Sequence, residues 1–460
     1  MLYRISPLDN VEVELSTGHK RAAREIRAGE NVIKYGFPIG HATEDIHPGE
    51  LVHTHNLKTN LSDKLTYEYH PCWQETAPLP PRTFMGYPRR GGQAGIRNDV
   101  WIINTVGCVN KVAEEIAGRT GALTFPHPFG CSQLGGDQDI TQKILCGLIR
   151  HPNAGGVLVL GLGCENNSIA ALKKVLGEYD PDRVKFLNAQ DIEDEAETGA
   201  ALVRELQAYA AGFKREPVPV SKLRVGLKCG GSDGLSGITA NPLTGRFSDL
   251  IVARGGTTVL TEVPEMFGAE TLLMDRCESR EVFDKTVSLI NDFKDYFTRH
   301  GQAVYENPSP GNKAGGISTL EEKSLGCVQK GGTSKVVDVL DYGDRLEKPG
   351  LNLLNGPGND IVAITNLTAA GAQMILFTTG RGTPVGAPVP TVKIAANSAL
   401  ARRKPRWIDF DAGVLAEGAD MERTAEALFD FCMEVAEGRE TQNERRGYRE
   451  ISIFKDGVTL

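Results

Sequence analysis

Gly156-Val157-Leu158-Val159-Leu160-Gly161-Leu162-Gly163-Cys164-Glu165-Asn166-Asn167 decides the architecture. A short apolar run ends in a loop of glycines and polar residues, and residues 169–179 then take up helical spacing. An apolar run of this length, bounded by turn residues, reads as a strand buried on both faces. The succession recurs. Val100-Trp101-Ile102-Ile103 precedes helical spacing over 109–119. Leu223-Arg224-Val225-Gly226-Leu227, Thr257-Thr258-Val259-Leu260 and Met374-Ile375-Leu376-Phe377 are further buried strands. Strands alternating with helical stretches predict an α/β body with mostly parallel sheets and crossover helices.

The pattern upstream of that body is different. Val11-Glu12-Val13-Glu14-Leu15 alternates with period two, Asn31-Val32-Ile33-Lys34-Tyr35 and residues 50–55 read similarly, and Gly18, Gly29, Gly36, Gly40 and Gly49 punctuate them. A small β-rich module over 1–75 is expected. Pro78-Leu79-Pro80-Pro81 marks a stiff, Pro-rich linker over 76–90. An α/β domain over 91–215 follows. Lys214-Arg215-Glu216-Pro217-Val218-Pro219 then leads into a C-terminal α/β domain over 216–460.

The composition excludes several classes. Among 460 residues, 51 Lys and Arg face 59 Asp and Glu, a net charge of −8. With a pI near 5.7, a nucleic-acid partner is not expected. No apolar run reaches the roughly 18–20 residues of a membrane span. The first seven residues, Met1 to Pro7, carry neither a basic segment nor an apolar one. A cytoplasmic location is therefore expected. The nine Cys include no Cys-x-x-Cys pair, which removes zinc-finger and thioredoxin signatures.

Glycine placement is the first functional clue. The strand-end loops include Val106-Gly107-Cys108-Val109-Asn110, Phe129-Gly130-Cys131-Ser132-Gln133, Cys229-Gly230-Gly231-Ser232-Asp233 and Ser324-Leu325-Gly326-Cys327. Four of the nine Cys follow a Gly directly, where chance predicts about one. Ligands of open α/β sheets bind beyond the carboxyl ends of strands, where such loops lie. Cys146, Cys277 and Cys432 fall in helical stretches and read as small buried hydrophobes. Cys131, Cys164 and Cys229 read as functional, and thiolates suit iron, zinc or an iron–sulfur cluster.

Other candidates are imidazoles and loop cations. His53-Thr54-His55, read as a strand, places two imidazoles on one face. His127 precedes Cys131 by four residues, so both could face one metal. Lys313 and Arg381 sit alone in Gly-rich loops, where a cation suits a carboxylate. Gly161-x-Gly163 and Gly380-x-Gly382 lack the third Gly of a dinucleotide fingerprint, and residues 326–333 have Gly332 where a P-loop needs Lys.

Together the motifs resemble the altronate/galactarate dehydratase family. The matching segments include Gly18-His19-Lys20, Val52-His53-Thr54-His55-Asn56, Gly95-Ile96-Arg97-Asn98 and the Gly-Cys loops. The longest, Cys229-Gly230-Gly231-Ser232-Asp233-Gly234-Leu235-Ser236-Gly237-Ile238-Thr239-Ala240-Asn241-Pro242, is joined by residues 261–268, 307–316 and 379–384. The resemblance implies an N-terminal SAF-type β-clip and a divalent metal, Fe²⁺ ahead of Mn²⁺. It also implies a hydro-lyase that converts D-altronate to 2-dehydro-3-deoxy-D-gluconate, and residues 53–56 look like the altronate branch.

Such chemistry needs a metal, a base and an acid. Cys131, Cys164, Cys229, Glu165 and Glu262 are the metal-ligand types. His19, His53, His55, His127 and Lys313 are the base or acid types. Arg97 and Arg381 are carboxylate anchors, and Asn98, Ser232, Asp233, Asn241 and Asn312 are partners for substrate hydroxyls. The expected arrangement puts the metal among the Cys loops, with the N-terminal His pair closing over it. A related aldonate or aldarate as substrate, or a non-catalytic sugar-acid binder, are the alternatives. A homo-oligomer, most simply a dimer, is expected.

Overall fold

The computed structural model describes residues 1–61 and 64–460. The N-terminal module is all β, as expected. Val11–Glu14 pairs antiparallel with Leu2–Tyr3 and Lys20–Ala22, and Lys20–Ala22 pairs with Leu51–Val52. A second sheet joins Asn31–Lys34, Phe37–Ala42 and Leu57–Lys58. Tyr35 and Gly36, at φ 61° and 80°, turn the hairpin between Asn31–Lys34 and Phe37–Ala42. Two left-handed residues match the twist of the flanking strands. The Tyr35 ring enters the body, where its hydroxyl lies against Gly237 and Gly326.

Residues 50–55 depart from their reading. Only Leu51–Val52 is strand, and the chain then turns. Asn56 makes the turn by accepting the His53 N–H through its side chain at 2.9 Å. Part of the stretch read as a linker is also strand. Thr83–Pro88 pairs antiparallel with Glu216–Pro219, whose Pro217 and Pro219 are tolerated because that strand is at the sheet edge.

The body carries two parallel sheets, as the alternating pattern predicts. In the first, Leu123–Thr124, Asp99–Asn104, Ala154–Gly161 and Val184–Asn188 lie side by side. The second has seven strands in the order Val336–Leu340, Gly350–Leu354, Thr257–Leu260, Arg224–Cys229, Met374–Thr379, Thr391–Ala395, Phe410–Asp411. Central strands such as Ala154–Gly161 and Met374–Thr379 are buried at every residue.

Two helices join the sheets. Gly136–Ile149 packs on Asp360–Ala369. Gly147 abuts Ala369, while Lys143 and Ile144 meet Gly343, whose N–H binds Asn366. The helices therefore run parallel, and each precedes a strand of its own sheet. Both sheets accordingly open their carboxyl ends on the same side of the molecule. The N-terminal module shares one apolar core with the C-terminal domain, from Val11 and Ile26 to Leu227 and Leu376.

Candidate active site

Cys229 ends its strand at the floor of a cleft of about 500 Å³. Glu265 and Lys323 line the same cleft. Beneath them lies a buried group of charges. The Cys229 sulfur is 3.4 Å from Cys327 Sγ, donates to Glu265 Oε2 at 3.1 Å and accepts from Lys330 Nζ at 3.1 Å. Lys323 pairs with Glu265 at 2.8 Å. The hydrogen bond from Cys327, aided by Lys330 and Lys323, pulls the Cys229 thiol down to about 7. The same bond pushes Cys327 well up. Burial opposes ionisation of Glu265, but Lys323 and Lys330 outweigh it and hold the carboxyl well below its usual range.

Glu262 belongs to a neighbouring group rather than to a ligand set. Its Oε2 accepts the Cys229 N–H at 3.1 Å, and Lys228 Nζ is 3.1 Å from Oε1. Burial raises its pKa well above the carboxylate range. Its left-handed backbone, φ 68°, is strained for a residue with a Cβ.

A second hollow, about 300 Å³, lies where the module meets the C-terminal domain. Thr17, Asp233, Gly315, Arg381, Asn397 and Arg403 line it. Arg381 reaches the Gly311 carbonyl at 3.2 Å. Asp233 is fully used inside its loop: Oδ1 accepts from Leu235, Ser236 N and Ser236 Oγ, and Oδ2 from Asn397. Asn312 ties this loop to the next by donating to the Ser232 carbonyl at 2.9 Å.

The imidazoles stand beside this hollow. His53 Nε2 bonds the Lys313 carbonyl at 2.9 Å, and its Nδ1 meets Thr54 Oγ1 at 3.1 Å. Partial burial lowers the His53 pKa. The His19 ring packs 5.8 Å from that of His53. Among the described residues, the His19 ring nitrogens and Lys313 Nζ have no hydrogen-bond partner on the chain. His55 does not join them. It sits exposed in the turn, because the expected strand ends at Val52.

Several other expected site residues are structural. His127 is buried; Nε2 bonds the Asn104 carbonyl and Nδ1 accepts from Phe129 N, so neither nitrogen faces Cys131. Arg97 grips Glu444 and three backbone carbonyls at the amino end of the first sheet. Asn98 bridges Arg89 and the Ala210 carbonyl there. Asn241 spans Gly326 and Thr378 inside the core. Glu165 folds onto its own loop, accepting from Leu162 and Gly163.

The five expected metal ligands therefore do not converge. Cys229 and Glu262 are buried in the C-terminal domain, while Cys131 and Cys164 are exposed on second-domain loops. Glu265 and Cys327 stand with Cys229 instead, and were not anticipated. Cys108 joins Cys131 and Cys164 on the exposed side. Both extra thiols carry the Gly-Cys signal. Glu265 carries no local signal of its own.

With this geometry in place, similarity to known proteins places the chain. Three family descriptions match in succession: Altronate/galactarate dehydratase SAF domain over 4–60, D-galactarate dehydratase/Altronate hydrolase, second domain, over 86–211, and D-galactarate/Altronate dehydratase, C-terminal, over 220–459. The chain belongs to the altronate/galactarate dehydratase family. It is 56% identical to the altronate dehydratase of Bacillus subtilis over 98% of this chain and 93% of the relative. It is 55% identical to that of Escherichia coli over 97% and 93%. The L-threo-forming galactarate dehydratase of Escherichia coli is 32% identical over 95% and 89%.

Proposed function

We infer that this chain is a hydro-lyase that removes water from D-altronate to give 2-dehydro-3-deoxy-D-gluconate. The carrying observation is the 55–56% identity to altronate dehydratases along nearly the whole chain, against 32% to a galactarate dehydratase. The N-terminal module and both body domains are all included in that match.

In the reaction the C2–H bond breaks and its electron pair forms C2=C3. The C3–O bond breaks, and the departing hydroxide takes a proton and leaves as water. The resulting enol tautomerises to the 2-keto acid. Arg381 and Arg403 give the interdomain hollow the positive charge a carboxylate needs. Lys313 reinforces that charge from the short Pro310–Ala314 helix beside it. His19 is the imidazole whose nitrogens are available to move a proton. His53, pinned to the Lys313 carbonyl, holds the ring of His19 in place.

A divalent ion, Fe²⁺ ahead of Mn²⁺, belongs to the proposal. It would stabilise the charge that develops on the carboxylate side as the C2 proton leaves. The buried Cys229–Glu265–Cys327 group suits such an ion poorly. Lys323 and Lys330 already neutralise its thiolate and carboxylate, and two ammonium groups at contact repel a dication. Among the described residues, no Lys or Arg hydrogen-bonds the exposed thiols Cys108, Cys131 and Cys164. Thiolates favour iron over manganese, so iron is the better match to them.

Small-molecule turnover in the cytoplasm by a homodimer completes the reading. No helix among the described residues is long and apolar enough to cross a membrane. The test is anaerobic turnover of D-altronate with added Fe²⁺ or Mn²⁺, with galactarate and D-gluconate alongside. Keto-acid formed from altronate, and far less from the other two, is the expected result. Galactarate as the better substrate, or no product from metal-loaded protein, overturns it.

A further inference from the structure

Five arginines line one cavity of about 320 Å³ at the amino end of the first parallel sheet: Arg89, Arg90, Arg150, Arg183 and Arg345. Two acids, Glu178 and Asp180, line it with them. Arg89 and Arg90 precede Asp99–Asn104, Arg150 follows the Gly136–Ile149 helix, and Arg183 precedes Val184–Asn188. Arg345 comes from the C-terminal domain, between Val336–Leu340 and Gly350–Leu354. The cleft and the interdomain hollow lie beyond the carboxyl ends of the strands, and no residue of either lines this cavity. An eight-residue strand such as Ala154–Gly161 is about 25 Å long, which sets the scale of the separation.

Three of the arginines hang on one turn. Arg183 donates to the Ile149 and His151 carbonyls at 3.0 and 2.8 Å, Arg89 Nε to the Pro152 carbonyl at 2.8 Å, and Arg345 Nη1 to the Gly147 carbonyl at 3.2 Å. Arg150 reaches the Leu176 carbonyl. Helix carboxyl ends attract cations, which explains these contacts. The remaining donors are unexplained. Among the described residues, the Arg150 and Arg345 guanidiniums have one partner each. Arg89 engages Nε and Nη2, but its Nη1 is buried with no partner. Buried donors are nearly always paired, so an orphan of this kind points to a missing acceptor.

The charges are also unbalanced. Asp180 is taken by Arg90 at 2.8 Å and by the Tyr209 hydroxyl at 3.0 Å. Glu178 is exposed and forms no ion pair among the described residues. Burial, then the neighbouring Arg183, brings the Arg89 pKa down to about 10. Burial, then Arg224, Arg150 and Arg183, does the same to Arg345. Both stay charged at neutral pH. Cations held this close repel one another unless an anion sits among them. Much of the remaining lining is apolar or aromatic, and Arg89 stacks on its Phe213 at 5.2 Å.

We propose that this cavity binds a small phosphate monoester, its phosphate held by Arg89, Arg150 and Arg345 and its organic part against the aromatic wall. Guanidinium forks match phosphate oxygens bidentately. A phosphate ester carries close to two negative charges at pH 7, and the lining has an excess of three positive ones. The volume exceeds what a free phosphate ion fills and falls at the small end of organic-ligand sites. One compact charged end and one neutral end also suit a lining that is cationic in part and apolar in part. Four of the arginines belong to the second domain and Arg345 to the C-terminal domain, so the bound ester bridges the two and stabilises their docking.

The site is independent of the dehydratase chemistry, and its test needs no turnover. The full chain is titrated calorimetrically and melted with inorganic phosphate, glycerol 3-phosphate, glucose 6-phosphate, 3-phosphoglycerate and citrate at constant ionic strength. A single site per chain is expected. At least one monoester should bind about tenfold tighter than inorganic phosphate and raise the melting temperature as its concentration rises. Arg150→Gln and Arg345→Gln should each weaken that binding about tenfold while keeping the wild-type circular dichroism. Glu178→Gln removes an exposed acid from the lining and should tighten it about two- to fivefold. Arg204→Gln, an exposed arginine of the second domain outside the cavity, should leave it unchanged. Inorganic phosphate bound more tightly than all three esters overturns the ester, and citrate bound most tightly overturns the phosphate. No binding by any probe, or binding that survives both arginine variants, overturns the site. A dimer that binds no phosphate and dissociates on Arg150→Gln also overturns it, since an acidic segment of a second copy then fills the cavity.

Discussion

His19 and His53 differ in what their ring nitrogens already do, and that difference assigns their roles. His53 spends Nε2 on the Lys313 carbonyl and Nδ1 on Thr54. His19 packs beside it at a tilt, its ring nitrogens without a partner among the described residues. His19→Ala should therefore cut kcat by roughly 10²–10⁴-fold with the fold unchanged, since that is the usual worth of a proton-transfer group. His53→Ala should have a smaller effect on kcat, because it removes support for the ring and not the ring itself. Steady-state kinetics on both variants decides this, and equal losses would remove the distinction. The same scale explains why His55 and His127 were misread. Alternation around residue 53 suggested a strand, but Asn56 captures the His53 N–H and turns the chain. His127 looked like a ligand from its distance to Cys131 in sequence, yet its nitrogens are used by backbone two and more residues away.

At the level of elements, close backbone approach holds the module to the body. Gly234 lies against Gly18, and a Cβ at Gly234 would stand 1.9 Å from the Gly18 carbonyl oxygen. Gly234→Ala should push the 17–19 turn outward and carry His19 off the hollow. The expected cost is about 1–3 kcal/mol of stability, with a larger proportional loss of turnover, read from melting curves and kcat together. Helix and strand packing also sets a pH limit. His151 is fully buried between the two body sheets, bonding the Ala372 carbonyl at 3.0 Å, and burial pushes its pKa down to about 3. It stays neutral in the fold, while an unfolded chain protonates it below about 6.5. Its stabilising contribution is thus complete above pH 6.5 and is lost as pH falls toward 3. The melting temperature should decline across that window, and His151→Gln should flatten the decline.

On the scale of the whole molecule, one carboxylate ties the module to the C-terminal domain. Glu322 receives Lys20 and Lys34, each at 2.8 Å, and all three side chains are buried. Burial opposes the charge on Glu322, but the two lysines outweigh it and bring its pKa to about 2. Glu322→Gln would leave two buried ammonium groups without a counter-charge, a loss of about 3–5 kcal/mol. The module should detach from the body, seen as an early step in melting and as proteolysis near residue 60, with activity lost. Unchanged melting would show that the apolar contacts alone suffice. The features readable along the chain were those with short-range causes. Period-two alternation, apolar runs and Gly-Cys loops depend on residues within a few positions of each other, so the β module, the parallel sheets and the thiol-bearing loops were all visible there. The strand Thr83–Pro88 was hidden because its partner, Glu216–Pro219, is more than a hundred residues away. Glu265 and Cys327 were hidden for the same reason, since only folding brings them to Cys229. Arg97, Asn98 and Asn241 carried family-like motifs, yet packing spends their polar groups on backbone and neighbouring side chains. Local chemistry therefore determined which loops carry reactive groups. The tertiary structure alone decided which of those groups meet, because convergence depends on contacts between segments that the order of residues leaves far apart.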